Sequence, residues 1–424
     1  MNMRKTNNGG GGYRRAGPGV LAFGATMVGT VVGAGFGSGQ ELLRFFTSYG
    51  PRGGAGLLLA VVLFWFAGAQ AIAISHSKRV TSYHEILREA CGRVAAPFVD
   101  LIVAAMFFGG LAVMIAAGGA VLQQEFGWPA WVGAAFMAIM TALTNLTGLK
   151  GITRVNTSVV MAMIVVIFLV CGVSLGGARA PAGPAGFSGP AGTTTAGSAT
   201  PLWSAVDGLA PFGRVPPPAV QPATTEGPLT PGTSEEVPPD PATFRPAPWW
   251  PVSAFLYVAY NLLLAMGVLA PLAGACRRAA VAHRGALMAW GVLFCTAMAS
   301  HLAMQANWRL AASAEVPMVQ LAARMGPVML VVYAVILWLE VYTTAVASLY
   351  GLTVRLVGEG RRAYPLAVMF FTVAALAVSG YGFSSLVGTL YPAFGAAGLW
   401  FLVGLLTLPW RRRHRARGGR GGAV

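Results

Sequence analysis

The sequence predicts an all-α integral membrane protein with ten transmembrane helices, arranged as a five-plus-five inverted repeat with interrupted helices 1 and 6. Of its 424 residues, 56% are hydrophobic and only 10% are charged, whereas about a quarter of the residues in a soluble domain are charged. The apolar residues fall in runs of about 20, the length that crosses a bilayer as a helix. A proline-rich segment separates the runs into two sets of five.

The net charge of +16 is compatible with nucleic-acid binding or with a membrane protein. The basic residues flank the apolar runs instead of forming one soluble basic module, so we exclude nucleic acid as a partner and expect the lipid bilayer to surround the chain. The four cysteines have no metal-binding or paired spacing, so neither a zinc site nor a disulfide framework is predicted. These cysteines are Cys91, Cys171, Cys276 and Cys295.

The elements follow in chain order from these runs. A basic, glycine-rich tail over 1–16 is predicted to be disordered. The first five-helix repeat covers 17–176 and the second covers 249–410, followed by a basic tail over 411–424. The predicted spans are 18–49, 54–75, 97–122, 130–147, 155–176, 249–274, 285–306, 327–355, 364–382 and 384–409.

The segment 177–248 has a different composition from the rest of the chain. It holds 16 of the 27 prolines and is rich in glycine, alanine, serine and threonine. Such a composition buries too little apolar surface to form a packed core. We therefore predict a disordered external loop between spans 5 and 6.

Lysine and arginine residues predict the orientation, because the cytoplasmic segments of membrane proteins are enriched in them. If both termini are cytoplasmic, 22 of the 29 basic residues fall on the cytoplasmic side. This split supports an even number of spans. We therefore predict a multi-pass protein of the cell membrane with cytoplasmic N- and C-termini.

Span 1 contains four glycines within residues 33–39. Each glycine costs about 1 kcal/mol relative to alanine inside a helix, so this stretch is predicted to unwind and to free backbone groups. Irregular backbone persists at membrane depth only where protein or a cavity satisfies it. The spacing of Gly29, Gly33 and Gly37 also fits close helix packing, which is the competing interpretation. Span 6 holds a weaker interruption at Asn261, Gly267, Pro271 and Gly274.

Two connectors carry the signals of short helices. Residues 82–92 have capping-box spacing and end in glycine, and residues 317–326 begin with proline and also end in glycine. We therefore predict a short amphipathic helix before span 3 and another before span 8, as an inverted repeat requires.

Two glutamates are expected deep in the membrane, where a carboxylate is costly and is a functional hypothesis by default. Glu41 follows the glycine break and is suited to bind a cation, a proton or a substrate ammonium group. Arg44 lies three residues on, so a neutralised structural pair is the alternative. Glu340 precedes Thr343 and Thr344 by about one turn, which would place carboxylate and hydroxyl oxygens on one face.

The candidate substrate-binding residues combine the break with one face of span 6. The freed amides of the break are suited to hold a carboxylate, and the aromatic and amide side chains of span 6 are suited to line a cavity. Interhelical hydrogen bonding is the competing role for the span 6 residues. The full set is Gly33, Ala34, Gly35, Phe36, Gly37, Glu41, Tyr257, Tyr260 and Asn261.

Three blocks resemble one family. Residues 29–41 resemble the first-span signature of the YkvI-like family of bacterial membrane proteins, as do residues 257–261 and residues 340–344 with Tyr350 and Gly351. The family is similar to the amino acid–polyamine–organocation transporter superfamily, which implies a leucine-transporter-type fold. In sodium-coupled relatives, span 8 hydroxyls and span 1 carbonyls form a sodium site. The resemblance therefore nominates Thr343, Thr344 and the backbone of Gly33 and Ala34 as sodium ligands. The Glu340 carboxylate completes this candidate set, although threonine side chains often bond back to their own helix.

These features lead to the hypothesis of a secondary active transporter for a small solute, an amino acid or related amine, driven by a sodium or proton gradient through alternating access. The alternative is a non-transporting membrane sensor or assembly partner on the same scaffold, with an unidentified protein partner docking on the external loop. We predict no enzyme activity, because no catalytic triad, phosphate loop or redox motif is present. No cofactor is predicted, and the choice between Na+ and H+ as coupling ion stays open.

Overall fold

The structure is a computed structural model that describes residues 18–31, 33–80, 83–147, 152–176, 239–358 and 361–418. Within these ranges the chain forms α-helices and two short 3-10 helices, Thr47–Tyr49 and Pro241–Phe244. The α-helices are α1 (Val20–Val31), α2 (Ala34–Ser38), α3 (Gln40–Phe45), α4 (Arg52–Lys78), α5 (Tyr83–Phe126), α6 (Ala130–Thr147), α7 (Ile152–Leu175), α8 (Trp250–Ala275), α9 (Ala279–Ala306), α10 (Trp308–Ala312), α11 (Pro317–Ala323), α12 (Pro327–Leu356), α13 (Tyr364–Ser379) and α14 (Phe383–Gly418).

Eight of the described helices are long and apolar enough to cross a membrane. They are α4, the part of α5 after Val94, α6, the part of α7 after Ser158, α8, α9, α12 and α14. Two shorter apolar helices, α1 and α13, lie where spans 1 and 9 are predicted. The chain is a multi-pass membrane protein, and the count of ten spans stays a prediction.

The first span is broken at its glycines, as the sequence predicts. Helix α1 ends at Val31, Gly33 is extended with φ −131° and ψ 179°, and α2 then runs for only five residues. A second break follows at Gly39, whose φ of +83° lies in the left-handed region. Glycine adopts this region without steric cost, so the chain can turn there and start α3.

The prediction that helix 6 is interrupted was wrong. Helix α8 runs without a break from Trp250 to Ala275 and contains Pro271. A proline removes one backbone hydrogen bond and costs roughly 3 kcal/mol in a helix interior. In α8, Leu269, Ala270 and Ala273 on both sides of Pro271 are fully buried, and this packing holds the helix together.

Both predicted connector helices are present. Helix α5 starts at Tyr83 and has a non-helical residue at Gly92, with φ 85° and ψ 168°. Its first turns are therefore a separate short helix ahead of the long span. On the other connector, α11 starts at Pro317, and Gly326 with φ +113° separates it from α12.

The long helices pack in two groups, and each group takes two predicted spans from either half of the chain. In the first group, α1 and α4 pack against α8 and α9; in the second, α5 and α6 pack against α12 and α13. Helix α7 contacts α9 and α12, and α14 contacts α8 and α5, so these two helices connect the groups. The inverted relation between the halves itself stays a prediction.

The predicted N-terminal tail and most of the predicted loop lie outside the described residues, so their disorder stays a prediction. Residues 239–248, which the sequence assigns to the loop, are instead ordered, and we call them the strap. The carboxylate of Asp240 caps the strap's 3-10 helix by accepting from Ala242 N at 2.9 Å, and the Phe244 ring packs on Trp308 at 5.7 Å. At the other end of the chain, α14 continues to Gly418, into the predicted basic tail.

Candidate functional site

Two buried glutamates approach the short helix α2. Glu41 is 6% exposed and Glu340 is fully buried. A Cβ atom added at Gly37 would lie 2.7 Å from Glu340 Oε2, and one added at Gly35 would collide with the Glu41 carboxylate. The two glycines therefore allow both carboxylates to approach the α2 backbone more closely than any side chain would permit.

The Glu41 carboxylate is held by a tyrosine from the other half of the chain. The Tyr260 hydroxyl donates to Glu41 Oε2 at 2.6 Å. The Tyr260 ring in turn contacts the rings of Tyr257, at 5.6 Å, and Tyr391, at 5.1 Å. Hydrogen bonds to an ionised group are among the stronger ones, so Tyr260 fixes where the carboxylate points.

Arg44 does not neutralise Glu41. Its Nη2 atom donates to the backbone oxygen of Ser384 at 2.8 Å and to the Ser384 hydroxyl at 2.7 Å. In the part of the chain that the structure describes, the ion pairs involve Glu89 and Asp100, and none includes Glu41 or Glu340. The alternative of a Glu41–Arg44 structural pair is therefore not what the fold forms.

A small cavity lies between α1, α2, α4, α8 and α9. Its volume is about 20 Å³, roughly the space of one water molecule. Aromatic rings form much of its wall: Phe36 from α2, Phe64 from α4, Tyr257 from α8 and Trp290 from α9. Phe64 and Trp290 are stacked with ring centroids 4.6 Å apart. The Gly-rich break thus faces a narrow, mainly apolar pocket.

The predicted cation ligands are only partly brought together. The Gly33 oxygen, just before Ala34 begins α2, accepts from Phe36 N and Gly37 N, each at 2.9 Å. The Thr343 hydroxyl donates to the backbone oxygen of Glu340 at 3.1 Å, which is the back-bonding alternative, and Thr344 is half-buried. Across the described ranges, no three His, Cys, Asp or Glu side chains converge as a metal-binding group.

The predicted span 6 residues separate into two kinds. Tyr257 lines the cavity and Tyr260 binds Glu41. Asn261 is buried, and its side-chain amide donates to the Tyr257 oxygen one turn earlier, at 3.1 Å. Asn261 therefore satisfies its own helix and does not bind another element through this bond.

Sequence reasoning missed several residues of this region. The Tyr333 hydroxyl donates to the Gly37 oxygen at 2.7 Å. Tyr333 precedes Glu340 by seven residues, which is two helical turns, so both lie on one face of the helix and this spacing was a usable signal. Trp290 lines the cavity but is only the sixth residue of the predicted span 7, so no sequence signal marked it. Tyr391 carried no comparable mark.

The sequence comparisons find two relatives from Bacillus subtilis (strain 168). The chain is 26% identical to the uncharacterized membrane protein YkvI over 93% of its own length and 96% of the relative's length. It is 24% identical to the uncharacterized protein YyaD over 90% of its own length and 95% of the relative's. No protein-family model matches the chain.

The comparison with solved structures identifies proteins of similar fold. The inward-facing conformation of Mhp1 aligns with 90% of this chain and 76% of that chain, with a TM-score of 0.54 and 12% identity. A Na+-coupled sialic acid symporter in its substrate-bound, outward-open state aligns with 92% of this chain and 78% of that chain, with a TM-score of 0.52 and 12% identity.

These solved neighbours are transporters and not enzymes. At such identities the likeness concerns the fold alone. The resemblance that the glycine-rich signature indicates is confirmed. The chain is similar to the uncharacterized proteins YkvI and YyaD over at least 90% of its length, and it shares its fold with the leucine-transporter-fold carriers.

Proposed function

We propose that this protein is a secondary active transporter of a small solute, an amino acid or related amine, driven by a sodium or proton gradient through alternating access. The observation that carries the proposal is the broken first span, whose short helix α2 contributes Phe36 to an aromatic cavity and is approached by two buried glutamates. Broken helices at the centre of a repeat-built bundle are where transporters of this architecture bind solutes.

The chemistry of the residues around α2 favours an amine. Glu41 offers a carboxylate that carries no ion pair among the described residues, so a substrate ammonium group would neutralise it. The rings of Phe36, Phe64, Tyr257 and Trp290 would pack against the apolar part of the solute and present aromatic faces to a cation. The proposed substrate-binding set is Gly33, Ala34, Gly35, Phe36, Gly37, Glu41, Tyr257 and Tyr260.

The two helix groups supply the proposed motion. The first group carries the cavity wall from α1, α4, α8 and α9, and the second carries Glu340 on α12. Rocking of one group against the other would expose the pocket to alternate sides while α2 stays between them. We place the protein in the cell membrane with both termini in the cytoplasm.

Uptake by proteoliposomes tests the proposal. The purified protein is supplied with radiolabelled amino acids and simple amines under an inward sodium gradient, a pH gradient or neither. We expect gradient-dependent accumulation of at least one amine, and loss of it in Glu41→Gln. Absence of such uptake across the panel contradicts the proposal; binding without flux would instead favour a membrane sensor.

A further inference from the structure

Glu340 occupies an unusual place for a charged side chain. It lies in the middle of α12, is fully buried, and its Oε2 atom approaches the backbone of Gly37 in α2. The Met163 and Leu337 side chains approach the same point, within 3.0 and 3.1 Å of a Cβ built on Gly37. The point at which its Oε2 atom approaches α2 is therefore bounded by peptide backbone and by the Met163 and Leu337 side chains.

Neither carboxylate oxygen of Glu340 has a hydrogen-bond partner within the described residues. The hydroxyl groups nearby on α12 are used elsewhere: Tyr333 donates to the Gly37 oxygen at 2.7 Å, and Thr343 donates to the Glu340 backbone oxygen at 3.1 Å. A buried carboxylate without donors or a cation is among the most costly arrangements in a protein.

Among the side chains that the structure describes, the helices packed against α12 supply no basic group that pairs with this carboxylate. Glu41 of α3 and Tyr333 of α12 are titratable groups that interact with it, and Cys171 of α7 lies beside Tyr333. Helices α2, α6 and α11 have no titratable residue, α13 has only Tyr364, and Arg154 lies in the first turn of α7. The charged residues of α5 precede Leu101 or lie in its last turn; Asp100 binds Arg355, and Glu125 accepts from Gln124.

The contacts around Glu340 favour a proton over a metal cation as the ligand of its carboxylate. A hard metal cation needs several oxygen ligands, but the Gly37 and Gly33 oxygens already accept hydrogen bonds and the remaining contacts include the carbon atoms of Met163 and Leu337. A proton needs only one carboxylate oxygen. We propose that Glu340 is the proton-binding site that couples transport to the pH gradient, an inference that rests on the proposed function.

The coupling follows from the position of the two carboxylates. A proton from one side of the membrane binds a Glu340 oxygen and makes the side chain neutral, and the same oxygen releases the proton to the other side. Glu41 then carries the remaining negative charge near α2 and pairs with the substrate ammonium. Two nearby carboxylates disfavour each other's ionised form, so proton and substrate occupancy are linked through α2.

The test combines infrared spectroscopy with uptake. We expect the wild-type protein to show the carbonyl stretch of a protonated carboxylic acid in an apolar setting, titrating with pH. This band should be absent in Glu340→Gln and shifted in Glu340→Asp, which keeps the acid if the first variant folds poorly. Glu340→Gln should lose pH-gradient-driven accumulation of the panel amines and keep exchange of labelled for unlabelled amine, while the control Glu125→Gln keeps both.

Two results would overturn the assignment. One is an infrared spectrum of Glu340→Gln that equals the wild-type spectrum. The other is a thermal stabilisation by sodium chloride, relative to choline chloride, that the wild type shows and Glu340→Gln lacks. If the wild type accumulates nothing from the panel but keeps the titrating band that Glu340→Gln lacks, the proposed function fails while the proton site stands.

Discussion

Gly37 permits the contact between α2 and the carboxylate of Glu340. An added Cβ would lie 2.7 Å from Glu340 Oε2 and 3.0 Å from Met163 Cε, so the helices must move apart or the side chains must leave their places. We expect Gly37→Ala to destabilise the protein by about 1–3 kcal/mol, the usual cost of overpacking. Thermal unfolding in detergent measures the loss, and uptake should fall with it.

Gly172→Ala is the matched control for that substitution. Gly172 lies on α7, the helix that also carries Met163, and a Cβ there would meet nothing within 4 Å. In a helix this change removes an entropic cost and stabilises by about 0.5–1 kcal/mol. Equal unfolding temperatures for the two variants would show that the close approach at Gly37 is not important.

Among the described residues, Tyr260 donates to the Glu41 carboxylate through its hydroxyl group. This hydroxyl can be removed while the aromatic ring stays in place. Tyr260→Phe deletes the 2.6 Å bond to Glu41 Oε2 and leaves a buried carboxylate without its donor, which costs about 1–3 kcal/mol. We expect the substrate KM of uptake to rise by about 5- to 150-fold, because the carboxylate no longer has a fixed orientation.

Tyr342→Phe controls for the loss of a hydroxyl as such. The Tyr342 hydroxyl pairs with Thr144 at 2.5 Å, on the face between α6 and α12. Its removal should leave the KM unchanged. A similar rise in both variants would mean that Tyr260 acts through general packing and not through Glu41.

At the scale of elements, the strap packs on the end of the broken first span. The guanidinium carbon of Arg44 lies 5.6 Å from the centroid of the Phe244 ring, and the same ring packs on Trp308. Arg245 Nε donates to the Ser48 oxygen at 3.0 Å, and the Tyr49 hydroxyl donates to the strap oxygen of Ala247. Opening at this end therefore requires these contacts to break.

Phe244→Ala should make that opening easier. Aromatic and cation–π contacts of this kind are worth about 0.5–1.5 kcal/mol, which corresponds to about two- to tenfold faster amide hydrogen exchange over residues 47–49. Mass spectrometry of exchanged peptides measures the change. Thr243→Ala, an exposed neighbour in the strap, should exchange like the wild type, and identical rates in both variants would contradict a clamping role.

The sequence predicts breaks of local origin better than breaks that depend on packing. The first-span break is local, because four glycines weaken the helix wherever its neighbours lie. The continuity of α8 is not local: α14 packs so closely on it that Cβ atoms at Gly395 and Gly398 would approach the backbone of Leu256 and Ala259 within about 3 Å. No pattern within span 6 reveals that support.

The candidate site divides in the same way. Glu41, Glu340 and the glycines beside them stand out in the sequence because charge and glycine are both costly in a membrane helix. Their partners do not: local spacing pairs Glu41 with Arg44, but Tyr260 is 219 residues away in the chain. Helix α3, which starts after the turn at Gly39, carries both Glu41 and Arg44, but Arg44 donates to Ser384 and not to Glu41.

At the scale of the whole molecule, each helix group contains helices from both halves of the chain. The membrane sides of the termini and of the strap are therefore linked through the predicted repeat. The strap joins the second half to the end of the first span, and the basic residues concentrate on the side where the termini are predicted. If the halves are inverted copies, the strap and the connector that starts α5 must face opposite sides of the membrane. Orientation is therefore a test of the repeat.

Cysteine labelling measures that orientation. The four native cysteines are first replaced, because Cys295 is exposed and would react with the label. Burial raises the pKa of the Cys91 thiol to about 11, so Cys91 would react slowly. In this background, we expect a membrane-impermeant maleimide on intact cells to label Thr243→Cys in the strap. Arg88→Cys, in the first turns of α5, should react only after the membrane is opened.

The physical reason for this expectation is the distribution of positive charge. The segments predicted to be cytoplasmic hold 22 of the 29 lysines and arginines, and such residues resist transfer across the membrane during insertion. Labelling of both positions from outside would place the strap and the α5 connector on one side. That result is incompatible with a five-plus-five inverted repeat, because an odd number of spans must separate the two positions.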